Sequence, residues 1–182
     1  MKTGMILATG LLLALGACNQ APASDEKVMV EFTEAGDLQR PDPTEWIFVS
    51  SSATDTASEA AAAGAEAKSE GKFNIIHIDP AAWAAYKETG TFPEGTVVTM
   101  SFYDMDPRDM GRPRLWASEL TGMEVGVKNA ERFEEGWGYF RFTGDETTAT
   151  AFPRERCFDC HIGLAETDNV FTQLYAIFPK SE

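Results

Sequence analysis

Histidine and cysteine are scarce in this chain, with two histidines and three cysteines in 182 residues. Cys18 closes an N-terminal apolar stretch, and Cys157 and Cys160 stand three residues apart. Beyond these, no cysteine is left for a second disulfide framework or a second metal cage. Long hydrophobic runs are also missing. The longest, Met5 to Leu15, is too short to span a bilayer as a stable helix. Positive charge is short as well: 15 Lys and Arg face 29 Asp and Glu, for a net charge of −14. Such a surface repels nucleic acid and anionic headgroups. It suits a basic partner, such as a cationic electron-transfer protein, and it also keeps a protein soluble. What remains is ordinary for a globular protein, at 43% hydrophobic and 24% charged residues. The length suffices for one domain with a proper core.

Residues 1–17 read as a secretory leader. Lys2 supplies the positive start, and Met5 to Leu15 the apolar centre. The stretch ends Leu15-Gly16-Ala17-Cys18, which resembles a bacterial lipoprotein signal with Cys18 as the acylated first residue. Ordinary cleavage after Ala21-Pro22-Ala23 is the alternative. Either reading predicts export to the periplasm, and the first adds a lipid anchor to a bacterial membrane. Loss of Lys2 with the leader would take the net charge from −14 to −15.

Residues 18–43 are polar, acidic and carry Pro22, Pro41 and Pro43, so a flexible tether is expected there. Within them, Val28 to Phe32 suits an isolated strand or a short helical turn. The domain is expected over 44–182. Trp46 to Ser50 is rich in β-formers. Residues 51–71 are low in complexity and lack large apolar side chains, so they predict a surface insertion, with at most a transient helix over Glu59 to Lys68. Phe73 to Ile78 predicts a strand. Asp79-Pro80 is a strong helix start and Gly90 a natural stop, with Trp83 and Tyr86 on one face. After the turn Phe92-Pro93-Glu94-Gly95, Thr96 to Phe102 alternates with Val98, Met100 and Phe102 on one side. Asp104 to Pro113 reads as a loop. Glu124 to Lys128, Gly138 to Thr143 and Val170 to Tyr175 read as further strands. The expected fold is mainly β (α+β): an antiparallel sheet with a few short helices, one of them near the C-terminus.

That late helix carries Cys157-Phe158-Asp159-Cys160-His161. Two cysteines one helical turn apart turn their sulfurs the same way. Each thiol can add across one vinyl group of haem, and the adjacent histidine can offer a ring nitrogen to the iron. The motif predicts one covalent haem c, with Cys157 and Cys160 as thioether donors and His161 as axial iron ligand. The competing readings are a thioredoxin-like redox pair, which wants a βαβ setting; a zinc site, which would need His77 as fourth ligand; and a plain disulfide. His77 is also a possible sixth ligand, as is a methionine, although the late position of the motif does not suit the small helical electron carriers that use one.

Three blocks in order resemble the cytochrome P-460 family, including the cytochromes c′-beta. They are Ile78-Asp79-Pro80 through Tyr86-Lys87-Glu88-Thr89-Gly90-Thr91-Phe92-Pro93-Glu94-Gly95-Thr96; Gly136-Trp137-Gly138-Tyr139-Phe140-Arg141-Phe142; and the Cys157 to His161 motif followed by Ala165-Glu166-Thr167-Asp168-Asn169-Val170-Phe171. The resemblance spans about residues 44 to 178. It implies a mainly β fold, one covalent haem, often a homodimer, and an open iron site that binds or transforms small nitrogen oxides. Members that oxidise hydroxylamine carry a lysine cross-linked to the haem edge. Met100 stands where that lysine is expected, which removes the cross-link and leaves Val98, Met100 and Phe102 as an apolar wall suited to neutral diatomic ligands. The resemblance thus implies nitric oxide binding or scavenging first. A hydroxylamine or nitric oxide oxidoreductase is the alternative, and a six-coordinate electron carrier a second one.

Overall fold

The computed structural model describes residues 30–54 and 71–179. The leader, Cys18, residues 18–29 of the tether and most of the low-complexity insertion lie outside them. Five strands form one antiparallel sheet in simple sequence order: β2 (Ile47–Ala53), β3 (Lys72–Ile78), β4 (Val97–Asp109), β5 (Pro113–Lys128) and β6 (Trp137–Thr143). A small second sheet pairs β1 (Leu38–Gln39) with β7 (Thr148–Ala149). Two α-helices, α1 (Pro80–Thr89) and α2 (Arg154–Leu164), complete the described elements with a 3₁₀ turn at Thr172–Leu174. The fold is mainly β, as the strand patterns require.

Alternation along the strands gives the large sheet two apolar faces. On one, Val97, Met123, Val125, Val127, Phe140 and Phe142 pack with Leu38 and Ala149. Phe140 and Phe142 are fully buried, each contributing about 2–3 kcal/mol. On the other face, Ile76, Ile78, Val98, Met100, Trp137 and Tyr139 lie toward Ala82, Phe92, Val170 and Phe178. This second face carries the candidate site.

Helix α1 forms for the reasons its sequence gives. Asp79 accepts from the Ala82 N–H at 2.7 Å and, with its other oxygen, from the Val97 N–H at 2.8 Å. One buried carboxylate therefore caps the helix and pins it to β4. Gly90 closes the helix at φ 72°, its N–H donating to the Tyr86 carbonyl. Trp83 and Tyr86 stack at 6.3 Å, and both meet Phe178 edge-on.

Four stretches differ from the sequence-based expectation. The predicted tether over 18–43 is packed from Val30 onward: Leu38 is fully buried and β1 pairs with β7. Within it, Phe32 makes a lone bridge to Leu38 rather than a strand or helical turn. The predicted insertion over 51–71 yields its first three residues to β2, and Gly71 adjoins β3. The predicted loop from Asp104 to Pro113 is instead the end of a hairpin, with β4 running to Asp109 and β5 starting at Pro113. This arm extends beyond the neighbouring strands, since β3 pairs with β4 only as far as Asp104 and β6 pairs with β5 only from Gly122 onward. Solvent reaches both of its sides, so no polar–apolar alternation marks it in the sequence. Its prolines are tolerated because each strand of a two-stranded arm has a free edge. Finally, Val170 to Tyr175 is no strand. It curls into the 3₁₀ turn, and the next residue, Ala176, donates its N–H to the Val49 carbonyl of the edge strand β2 at 3.0 Å.

Candidate functional site

A cavity of about 300 Å³ lies between the second sheet face and the α2 to C-terminal segment. Register builds its floor: Ile76 faces Met100, Met100 faces Glu124, Val98 faces Gly126 and Gly126 faces Tyr139. Gly126 has no side chain, so the Tyr139 ring lies across its backbone; a Cβ there would sit 3.4 Å from that ring. Ser50 to Ser52 of β2 form one side. The roof carries Cys157 and His161 of α2, then Asn169, Val170, Phe171, Leu174 and Tyr175. Leu174 is 68% exposed, so the cavity reaches solvent at that rim.

His161 is held on three sides. Its Nδ1 lies 2.7 Å from the Asn169 carbonyl oxygen. A carbonyl can only accept, so Nδ1 carries the proton and Nε2 keeps a free lone pair. The Tyr139 and Phe171 rings pack against the imidazole with centroids at 4.5 and 4.7 Å. Burial pushes the His161 pKa below its ordinary value, partly offset by the Asn169 bond, and so favours the neutral, metal-binding form near pH 7. Cys157 borders the cavity and Cys160, one turn on, is exposed; both thiols are free. Burial, followed by the Glu124 charge, pushes the Cys157 thiol up. Phe158 is the buried anchor of α2, while Ile162 and Leu164 are exposed.

Of the predicted apolar wall, Val98 and Met100 line the cavity and Phe102 does not. Phe102 lies one rung beyond, opposite Gly122, and the Arg141 guanidinium covers its ring at 5.3 Å. His77 projects from the other face of the sheet, in register with Thr99 and edge-on to Phe48 at 6.2 Å. It therefore stands apart from both cysteines and His161, as a ligand to zinc or as a sixth ligand would not. Among the described residues no three His, Cys, Asp or Glu side chains converge as a metal cage.

Two lining residues escaped the sequence reading. Glu124 is the charged carboxylate in the described lining, and Arg141 pairs with it at 3.1 Å. Nothing in its spacing separates it from the other acidic residues; only its rung opposite Met100 does. Tyr139 has a buried hydroxyl without a hydrogen-bond partner among the described residues. Burial, then the Cys157 and Asp168 charges, holds its pKa far above the ordinary value, so the hydroxyl remains a donor. An orphaned donor in an apolar cavity indicates an acceptor that the bare protein lacks. Two thiols one turn apart, an imidazole with Nε2 free, an apolar floor and this hydroxyl together fit a haem.

No curated protein matches this sequence closely enough to count as a relative. Residues 45–172, well over half of the chain, match the cytochrome P460 family. They take in the sheet, both helices and every cavity residue from Ser50 to Phe171. The chain accordingly belongs to the cytochrome P460 family of haem proteins.

Proposed function

We propose that this protein is an exported cytochrome with one covalently held haem c, and that its cavity binds small nitrogen oxides, nitric oxide first. The observation that carries the reading is the floor of the cavity: Met100 stands where the family's cross-linking lysine is expected, and no lysine is among the described lining residues. Lys128 is engaged by Asp168 and the Phe92 carbonyl, Lys72 by Asp104, and Lys87 lies over the Trp83 ring. When bound, the haem supplies an iron that changes oxidation state and takes a diatomic ligand. The protein's part follows from its own residues. Cys157 and Cys160 would each give their S–H across a vinyl double bond, sulfur to one carbon and hydrogen to the other. His161 would give Nε2 to the iron. Val98, Met100 and Ile76 exclude water, which favours a neutral ligand over a charged one.

The test is an absorption spectrum of the reduced holoprotein with and without nitric oxide. A clear shift on addition is expected, and an unchanged spectrum would sink the reading.

Glu124 favours a second reading, oxidation of hydroxylamine or nitric oxide. Such a reaction releases protons, and a carboxylate at the cavity floor is suited to take them. It predicts turnover of hydroxylamine with an artificial electron acceptor, reduced at least about tenfold in Glu124→Gln. No turnover in the unaltered protein eliminates it.

The leader supports periplasmic export with Cys18 as lipid anchor, and the family resemblance supports a homodimer. The arm of β4 and β5 is the surface best suited to a second copy. It exposes Met110, Leu115 and Trp116 among charges of both signs, with Arg108 paired to Asp106. Exposed apolar side chains of this kind are suited to burial against a second copy.

A further inference from the structure

Asp168 and Asn169 are the non-glycine residues with positive φ among the described residues, at 47° and 61°. The left-handed region is costly for L-residues, and Asp and Asn tolerate it best. They occupy the two central positions of a tight turn bridged by Thr167 and Val170, whose N–H donates to the Thr167 carbonyl at 2.8 Å. Two successive positive φ values are what a primed two-residue turn demands. Neither residue is glycine, so something else must hold the turn.

The Asp168 carboxylate supplies the hold. One oxygen accepts from Lys128 Nζ at 2.6 Å and the other from Trp137 Nε1 at 3.3 Å. Lys128 and Trp137 are opposite partners on one β5–β6 rung, so the sheet presents both donors side by side. Trp137 is 5% exposed, and Lys128 Nζ is fixed again by the Phe92 carbonyl at 2.8 Å. The next residue in the turn, Asn169, carries the carbonyl that meets His161 Nδ1.

We propose that Asp168 is a positioning residue for His161: its carboxylate, locked by Lys128 and Trp137, fixes the left-handed turn that aims the Asn169 carbonyl at Nδ1. The proposal rests on the reading of His161 as the axial iron ligand. Asp168 acts through the backbone of its neighbour, with no direct bond to the imidazole. The same rung steadies the ring by a second route, since Trp137 stacks on Tyr139 with planes 14° apart and Tyr139 packs against His161. The consequence for a bound iron is electronic. A firm Nδ1–H to carbonyl bond makes Nε2 a stronger donor. A loosened turn weakens that donation, which disfavours the oxidised iron.

The experiment uses the full-length holoprotein and its variants Asp168→Ala, Asp168→Asn and Lys128→Met. Resonance Raman spectroscopy of the ferrous form reads the iron–histidine stretch, and a redox titration reads the midpoint potential. In Asp168→Ala the stretch is expected at lower frequency and the potential at a more positive value. Asp168→Asn, which keeps an oxygen for Trp137, shifts less, and Lys128→Met shifts in the same direction. Asp168→Ala with its haem in place and both values unchanged overturns the proposal. Where that variant does not fold, unchanged values in both Asp168→Asn and Lys128→Met overturn it. A His161→Gly control separates the two levels. Persistence of the stretch and potential in that control defeats the axial reading itself, whereas their loss there, with no response at Asp168, defeats only the positioning role.

Discussion

His77 on β3 and His161 on α2 lie to opposite sides of the large sheet, and each carries a depressed pKa through burial. In the holoprotein His161 would be held by iron, which leaves His77 as the titrating one. An unfolded histidine takes up its proton near pH 6.5, whereas folded His77 does so only at lower pH. Between those values the unfolded chain binds more protons, so stability falls as pH drops. The expected outcome is full stability above about pH 6.5 and a decline below it that levels off beneath the folded value. Thermal melts of the holoprotein across that range should show a shallower decline for His77→Gln; identical profiles would remove His77 as the cause. Cys157 and His161 could be singled out from sequence because they stand close together on one helix, and the structure brings both to the cavity. Glu124, Tyr139 and the irrelevance of Phe102 to the cavity were not, because strand register decides them and no local signal encodes it.

Among the elements, α1 depends most on one side chain. Asp79 is 2% exposed and joins the helix start to β4 through two backbone N–H groups. Asp79→Ala leaves both donors buried and unpaired, and the expected loss is about 2–3 kcal/mol of unfolding free energy. Asp79→Asn keeps an acceptor for Ala82 and should lose less. Denaturant unfolding of the two variants checks the order, and equal losses would contradict it. This helix could be read in advance because capping chemistry is local. The glycines of Gly136-Trp137-Gly138 could be recognised as a block, but their causes differ: Gly136 sits at φ 81° in a turn, while a Cβ on Gly138 would fall 2.3 Å from the Phe133 ring. The 3₁₀ turn at Thr172–Leu174 was misread as a strand because apolar Val170, Phe171 and Leu174 meet a cavity instead of a ladder.

For the whole molecule, the arm of β4 and β5 is the largest departure from a compact sheet. Met110, Leu115 and Trp116 are exposed by 76%, 55% and 49% on it. If the arm grips a second copy, Leu115→Glu with Trp116→Glu should convert a dimer to a monomer in sedimentation velocity while leaving the haem spectrum unchanged. A dimer that survives both changes places the interface elsewhere. The arm was hidden in the sequence because both of its faces are exposed, which leaves no alternation to read. The placement of α2 has a separate consequence for biogenesis. All five strands of the large sheet precede Cys157 in the chain. Under the proposed export, a chain delivered N-terminus first would present every strand of that sheet before the two thiols. Under the proposed haem attachment, the attachment step would then act on the last-delivered segment of the domain.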